Sequence, residues 1–410
     1  MRRFDIGSYS VKFLFLFSAL FSSSFSSFAQ SDSVLRVSLI LAFQTESTGE
    51  KLNDYLSAHD VYSANRIRLN EDAQISLDFY EGALQSLNEY SGHYKIEWSV
   101  YDCWNDDSIT ELILQKPEMK MQDIIIGSVS TSTAKLVAAF CKENKILNIQ
   151  PFTPSKSLTS DNPYHIKIAP TIDSHVDAMF NAILDSFAGA NIIIYTPDIE
   201  NSVSIADQFD SLFRTYNQTA LKRFKVTLLN AGNMMLNGKK TTAAEQLVSN
   251  HLNILILTSF EESFVNGSLR TLYEYRAKYP MIVYGMPTWL SGDILRLDYL
   301  NDFTTQITDV FALDTIRPRT KKFIENYQMN FSHEPSKYSV LGYDVLNFTL
   351  ESMEEYGKEF PEMVYTQVYS GCGYKIELVK IKNKDQQVNY FENRHVNIFR
   401  VEDYRLRKVW

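Results

Sequence analysis

Two successions of short apolar runs, each run followed by a stretch with helical spacing, constrain this chain more than any other feature. In the first, Val34 to Phe43 (VLRVSLILAF) is almost continuously apolar, and Asp123 to Gly127 (DIIIG) repeats the pattern in miniature. Runs of this kind suit strands covered on both faces, as in a parallel sheet flanked by helices. Ile96 to Tyr101 alternates as a strand, and Ile146 to Gln150 is a strand ended by Pro151. Gln74 to Tyr90, Ile109 to Leu114 and Thr131 to Asn144 predict the helices between them, with Leu77, Tyr80, Leu84 and Leu87 on one stripe. This strand-helix alternation is the order of an open parallel sheet.

The pattern then restarts. Helices are predicted at Asp173 to Phe187, Ser202 to Tyr216, Thr242 to Asn250 and Glu261 to Lys278. The strands between them are Asn191 to Tyr195, Phe224 to Leu229, Asn253 to Thr258 and Met281 to Gly285. Two series of similar size predict an α/β protein of two lobes, each a parallel sheet between helices. In the tail, Arg319 to Met329 and Tyr338 to Tyr356 read as helices. Tyr374 to Ile381, Val396 to Val401 and Tyr404 to Val409 read as short alternating strands. No Gly/Ser/Pro-rich linker separates the lobes, so the chain is expected to cross between them more than once.

The N-terminus reads as an export signal, residues 1–29. Arg2, Arg3 and Lys12 supply positive charge, Val11 to Phe21 is apolar, and Ser27-Phe28-Ala29 fits a small-x-small cut before Gln30. The apolar run is short of the ~20 residues that span a bilayer. The only cysteines are Cys103, Cys141 and Cys372, none near the cut, so a soluble periplasmic protein is expected rather than a lipoprotein. Outside the cytoplasm thiols can oxidise. A Cys103–Cys141 bridge and three partly buried free thiols are both open. Gln44 to Asp72 is polar, without sustained period, and reads as a surface insertion. The net charge of -9 excludes a nucleic-acid binder, which needs clustered cations against phosphate. Seven scattered histidines and three cysteines suggest no metal and no cofactor.

In open α/β sheets ligands bind beyond the carboxyl ends of the strands. Two post-strand loops stand out. In Gly127-Ser128-Val129-Ser130-Thr131-Ser132-Thr133 the glycine permits a close turn, and five hydroxyls meet a helix start that favours a carboxylate or phosphate. The plainer alternative is one helix cap, worth about 1 kcal/mol. In Gln150-Pro151-Phe152-Thr153-Pro154-Ser155 a ring and hydroxyls reach the same sheet edge, with a Pro-stiffened turn as the alternative. HExxH, GxSxG and GxxxxGK[ST] are all missing, so no catalytic residues are nominated. His165 and His175 read as surface or hinge histidines, and Asp106-Asp107 as a helix cap. Arg317, Arg319, Lys321 and Lys322 read as a solvated helix start, and Gly371-Cys372-Gly373 as a turn.

The segments FYEGALQSLNEY, DIIIGSVSTSTAKLVAAFCKENKILNIQPFTPS and NPYHIKIAPTIDSHVDAM, in that order, resemble the type 1 periplasmic binding proteins. The likeness is to the leucine/isoleucine/valine-binding, amino-acid receptor-like branch, and YGMPTW and PSKYSVLGYDVLNFTL fit the same plan. The chain is also similar to Bacteroidetes-type members sometimes joined to LysM modules, although no LysM repeat is apparent here. The resemblance implies two Rossmann-like lobes joined by three crossovers, one of residues 31–168 with 313–358, the other of 169–312 with 359–410. It implies a ligand carboxylate at Ser128, Ser130 and Thr131, a further contact from Phe152 and Thr153, and an ammonium held by Tyr195, Asp198 or Glu261. Tyr343 and Asp344 match a common GYD segment. The text after Asp198, Ile199-Glu200-Asn201-Ser202, departs from the Tyr-Gly often found there. The function implied is an extracytoplasmic solute-binding protein. It would trap an amino acid or related carboxylate by hinge closure, for a membrane ABC transporter or for sensing. The alternative is an envelope regulator associated with peptidoglycan synthesis, using the same fold to bind a protein.

Overall fold

The computed structural model of the chain describes residues 33–45, 69–232, 235–236, 239–290, 295–363 and 368–410. The expected export signal and most of the 44–72 insertion lie outside the described residues.

The first sheet begins β1 (Val34–Leu41), α1 (Glu71–Glu89), β2 (Lys95–Asp102), α2 (Asp107–Leu114), β3 (Ile124–Gly127), α3 (Thr131–Asn144), β4 (Leu147–Gln150) and β5 (His165–Lys167). The second begins with α4 (Ile172–Ser186) and β6 (Asn191–Thr196). It continues through α5 (Glu200–Thr219), β7 (Lys225–Asn230), a small hairpin β8 (Met235–Leu236) and β9 (Lys239–Lys240), β10 (Asn253–Leu257), α6 (Glu262–Tyr273), β11 (Met281–Gly285), α7 (Leu297–Asp302) and β12 (Gln306–Asp309). The chain then returns through α8 (Pro318–Phe331), α9 (Lys337–Tyr356) and α10 (Phe360–Met363) to β13 (Val368–Ser370), β14 (Lys375–Lys382) and β15 (Val388–Asn393). It ends with β16 (Asn397–Glu402) and β17 (Arg405–Lys408). The strand orders are β13-β14-β15-β5-β4-β3-β1-β2 and β17-β16-β12-β11-β10-β6-β7. Within each sheet the strands of the strand-helix series run parallel, and the tail strands add antiparallel edges.

The chain passes between sheets three times, after β5, after β12 and after β15. The crossings expected at 168/169 and 312/313 lie between β5 and α4 and between β12 and α8. Residues 359–410 were expected in the second lobe, yet β13 to β15 extend the first sheet and only β16 and β17 join the second. The reason is a long-range pairing, Phe391 against Ile166 and Glu392 against Lys167, that docks β15 in parallel on β5.

Each sheet has its own core. Val37, Leu39, Ile124, Ile126 and Ile149 pack with Phe323, Tyr327, Val345 and Phe348 of α8 and α9. Ile192, Ile194, Leu255, Ile256 and Val283 pack with Phe209, Phe213 and Leu269. The buried face of α1 is not the predicted leucine stripe but Ala73, Ser76, Phe79, Gly82, Ala83 and Ser86. Small residues there let α9 approach almost to backbone contact. A Cβ on Gly82 would stand 1.8 Å from the Ser339 carbonyl oxygen, and one on Gly342 2.0 Å from that of Phe79.

The predicted helix at Thr242 to Asn250 is only a 3-10 turn, Ala244–Gln246. Asn253 accepts from the Val248 N–H at 2.8 Å and donates to the carbonyls of Val248 and His251, removing the backbone groups a helix would use. Cys103, Cys141 and Cys372 are free and buried, so the Cys103–Cys141 bridge does not form although both lie in one apolar cluster. Gly371-Cys372-Gly373 is indeed a turn. Buried Asp344 holds it by accepting from the N–H groups of Cys372, Gly373 and Tyr374 at 2.7, 2.9 and 2.9 Å. Asp106 caps α2 through the Ile109 N–H at 2.9 Å. The Arg317 to Lys322 cluster is less solvated than expected. Arg317 donates to the Gly371 carbonyl at 2.9 Å, and Arg319 to Glu351 at 3.0 Å.

Candidate functional site

Gly127 ends β3 at φ +119, and a Cβ there would lie 2.1 Å from the Ile40 carbonyl oxygen, so the position demands glycine. The chain then turns into α3 through Ser128 and Ser130. Ser130 is the N-cap, accepting from the Thr133 N–H at 3.3 Å. The capping alternative therefore accounts for one of the five hydroxyls. Thr133 also bonds through its own hydroxyl to Ser130, at 2.8 Å, and to Ser128, which is fully buried. Thr131 is exposed and reaches across to the next strand end, its hydroxyl 3.0 Å from that of Thr153.

Gln150, the last residue of β4, joins the two loops. Its Nε2 donates to the carbonyls of Gly127 at 3.2 Å and Ser128 at 3.0 Å, while its Oε1 accepts from the N–H of Phe152 at 2.8 Å and of Thr153 at 3.4 Å. Phe152 packs its ring, tilted, with its centroid 4.9 Å from that of Phe79 on α1. Ser128, Ser130, Thr131, Phe152 and Thr153 thus form one continuous rim. The sequence reading named the loops but missed Gln150 as their link, the only signal being a polar residue directly before a proline at a strand end. It also missed Asp102 at the end of β2. That carboxylate accepts from the N–H groups of Gln44 and Thr45 at 3.1 and 3.0 Å and so anchors the start of the insertion.

Every side chain of this hydrogen-bonded rim is neutral. The Ser128 hydroxyl is bonded to Thr133 rather than to a histidine, carboxylate or lysine, so it lacks the base that activates a nucleophile. What the rim offers is hydroxyls and the first-turn N–H groups of α3, with their partial positive charge.

The candidates on the second sheet are separate. Tyr195 is half-buried, its ring 5.1 Å from that of Phe264, and burial pushes its phenol above the usual value. It opens on a cavity of about 540 Å³ lined by second-half residues such as Ala243, Phe264 and Thr271. Asp198 is exposed and accepts from Asn230 Nδ2 at 3.0 Å. Glu261 is exposed at the N-cap position of α6, its N–H donating to Ser259 Oγ at 3.0 Å. Among the described residues none of these three bonds to the hydroxyl rim. His165 and His175, expected at the surface or the hinge, flank the first passage but are buried. They bond to Asn148 at 2.7 Å and to Thr308 at 2.9 Å.

Solved structures match this architecture across most of its length. A Rhodospirillum rubrum protein assigned to branched-chain amino acid ABC transport superposes with a TM-score of 0.62 at 11% identity, covering 92% of this chain and 100% of that one. The fold is that of the type 1 periplasmic binding proteins. A branched-chain amino acid ABC transporter ligand-binding protein from Burkholderia xenovorans gives 0.57 at 12%, covering 92% and 94% of the two chains. An ABC transporter substrate-binding protein from Desulfitobacterium hafniense, in complex with Leu, gives 0.54 at 12%, covering 92% and 100%. No protein-family model and no curated protein matches the sequence. Among the described residues no helix is long and apolar enough to cross a membrane, and no group of three or more His, Cys, Asp or Glu is placed to hold a metal.

Proposed function

We propose that the protein is a non-catalytic, extracytoplasmic solute-binding protein that traps a small amino-acid-like ligand between its halves for ABC-type uptake or sensing. The observation that carries this reading is the neutral hydroxyl rim at the α3 N-terminus, cross-linked by Gln150, in a fold whose solved examples include a leucine complex. The ligand carboxylate docks on Thr131, Thr153 and the first-turn N–H groups. The second half then swings in about the three passages, bringing Glu261 or Asp198 to the ammonium. The moving units are residues 33–168 with 313–393 against 169–312 with 394–410. Export through the N-terminal signal delivers the chain to the periplasm.

The helix end alone contributes about 0.3–1 kcal/mol, up to ~2 when partly buried, whereas micromolar binding needs about 8 kcal/mol. Contacts from both halves are therefore required. The experiment is a thermal-shift panel of the standard amino acids and their desamino acids, since a ligand of the folded state raises stability by linkage. Calorimetry with Ser130→Ala/Thr131→Ala follows. The double variant loses about tenfold in affinity, or about 1.4 kcal/mol, while the lost cap costs about 1 kcal/mol of stability. Unchanged affinity for the identified ligand removes the rim from the site. No shift across the panel, with an envelope protein retained on purification, turns the reading to the regulator.

A further inference from the structure

The far edge of the second sheet is open. β17 pairs with β16 on one side and is the last strand on the other. All four of its residues are exposed, and three of them, Arg405, Arg407 and Lys408, are cationic. An edge strand turns alternate backbone N–H and C=O groups outward, ready to pair. Over the face of the sheet from β12 to β17 lies a groove of about 520 Å³, walled by Phe311, Ala312 and Leu313 of the second passage, by Phe399, Leu406 and Lys408 of the edge hairpin, and by Asp309 and Asp314, so that Leu406 stands at its outer lip. Leu406 is 51% exposed.

Charge decides what can fill this edge. Two β17 strands side by side would set cation against cation, the arrangement that keeps edges from self-pairing. An acidic strand meets the opposite condition. Arg405 has no ion pair among the described residues, and Arg407 has only a surface contact with Glu402 at 3.2 Å. The acids at the groove are turned to their own backbone. Asp309 accepts from the Phe311 N–H and Asp314 from the Ile316 N–H, each at 3.1 Å. This cationic edge stands on a chain of net charge -9.

We propose that β17 is a docking edge for an extended acidic segment of a partner protein, which adds a strand to the second sheet and sets an apolar side chain against Leu406 at the lip of the groove. Backbone pairing supplies the register, Leu406 meets the apolar positions, and Arg405 and Arg407, which alternate with it onto the opposite face, meet the carboxylates. The proposal does not depend on what the hydroxyl rim binds.

The test uses three synthetic peptides of equal length with the full chain. One alternates Glu with Val, one alternates Lys with Val, and one is the Glu peptide with a central Pro. The Glu peptide binds, more weakly as salt rises, and slows backbone hydrogen exchange at residues 405–408. The Lys and Pro peptides each bind at least tenfold more weakly. Arg405→Glu/Arg407→Glu, with its fold checked by circular dichroism, weakens the Glu peptide at least tenfold and favours the Lys peptide. Equal binding of the Pro peptide reduces the site to charge adhesion and overturns the proposal. So do protection away from β17, unchanged binding by the double variant, or no binding of the Glu peptide. Binding to phosphatidylglycerol vesicles in place of the peptide assigns the edge to a lipid surface, and self-association abolished by the double variant assigns it to a second copy.

Discussion

The strand ends of the two halves differ in how far they are already built. In the first, Ser128, Ser130, Thr131, Thr133, Gln150 and Thr153 are joined by hydrogen bonds that run from one loop into the next. In the second, Tyr195 packs on Phe264, Asp198 is tied to Asn230, and Glu261 stands exposed at a helix start. A surface whose rotamers are fixed before the ligand arrives loses little entropy on binding, whereas exposed side chains must be ordered at a cost of about 0.5–1.5 kcal/mol each. Under the proposed binding function, the contrast gives first docking to the rim and the closing contacts to the second half.

The strongest way to break the contrast is to cut the link within the rim. Gln150→Ala leaves the buried N–H of Thr153 and the carbonyls of Gly127 and Ser128 without their partner. An unpaired buried group costs about 1–3 kcal/mol, so a loss of about 3 kcal/mol in denaturant unfolding is expected, with weakened ligand binding in whatever fraction stays folded. A loss under about 0.5 kcal/mol, the scale of an ordinary surface change, would mean that the loops hold their shape without Gln150 and that the rim is no more preorganised than the other half.

The same contrast explains what could be read from the sequence. β1, β3, β6 and β10 are legible because strands covered on both faces are continuous in Ile, Leu and Val. β5 and β12 are not, since His165-Ile166-Lys167 and Gln306 to Asp309 are short, half polar and shaped by their neighbours. The third passage was misplaced because β15 owes its position to Ile166 and Lys167, far away in the chain. The hydroxyl loops announce themselves, as Gly127 and a Ser/Thr cluster directly follow a buried strand. Gln150 does not, because an amide that satisfies two loops at once has no local pattern.

Acid is expected to act on the junction rather than on the rim. Burial, with Lys167 nearby, lowers His165 to about 3, and burial lowers His175 to about 4. Both stay neutral when folded, but they take up protons on unfolding once pH falls below their ordinary value of about 6.5. The unfolded state then binds more protons, so stability falls with falling pH from about 6.5 toward the folded values, by up to about 1.4 kcal/mol per pH unit for each histidine. Unfolding curves between pH 7 and 5 check the slope. Buried Asp344, raised to about 6, takes up a proton in the folded state and opposes the histidines below that pH. His175→Gln should lower the slope by up to about 1.4 kcal/mol per pH unit. Affinity at the neutral rim stays flat over the same range for a ligand whose own charge does not change. Affinity that falls in step with stability would place the titrating group in the binding site.

The smallest effects on stability are expected at the second-half acids, where the contrast can be sharpened most. Asp198→Asn and Glu261→Gln remove exposed carboxylates, and each should stay within about 0.5 kcal/mol of the parent in unfolding experiments. Their separation appears in binding. The Asp198 carboxylate is already engaged by Asn230, so turning it to a ligand costs a bond, whereas among the described residues the Glu261 side chain has none to lose. Glu261→Gln is therefore expected to weaken an amino acid more than Asp198→Asn does, and to leave the matching desamino acid nearly unaffected, because only the ammonium contact has been removed. Equal losses for amino acid and desamino acid would show that Glu261 shapes the closed state rather than touching the ligand. No loss from either variant would leave Tyr195 and the apolar walls to supply everything the second half contributes.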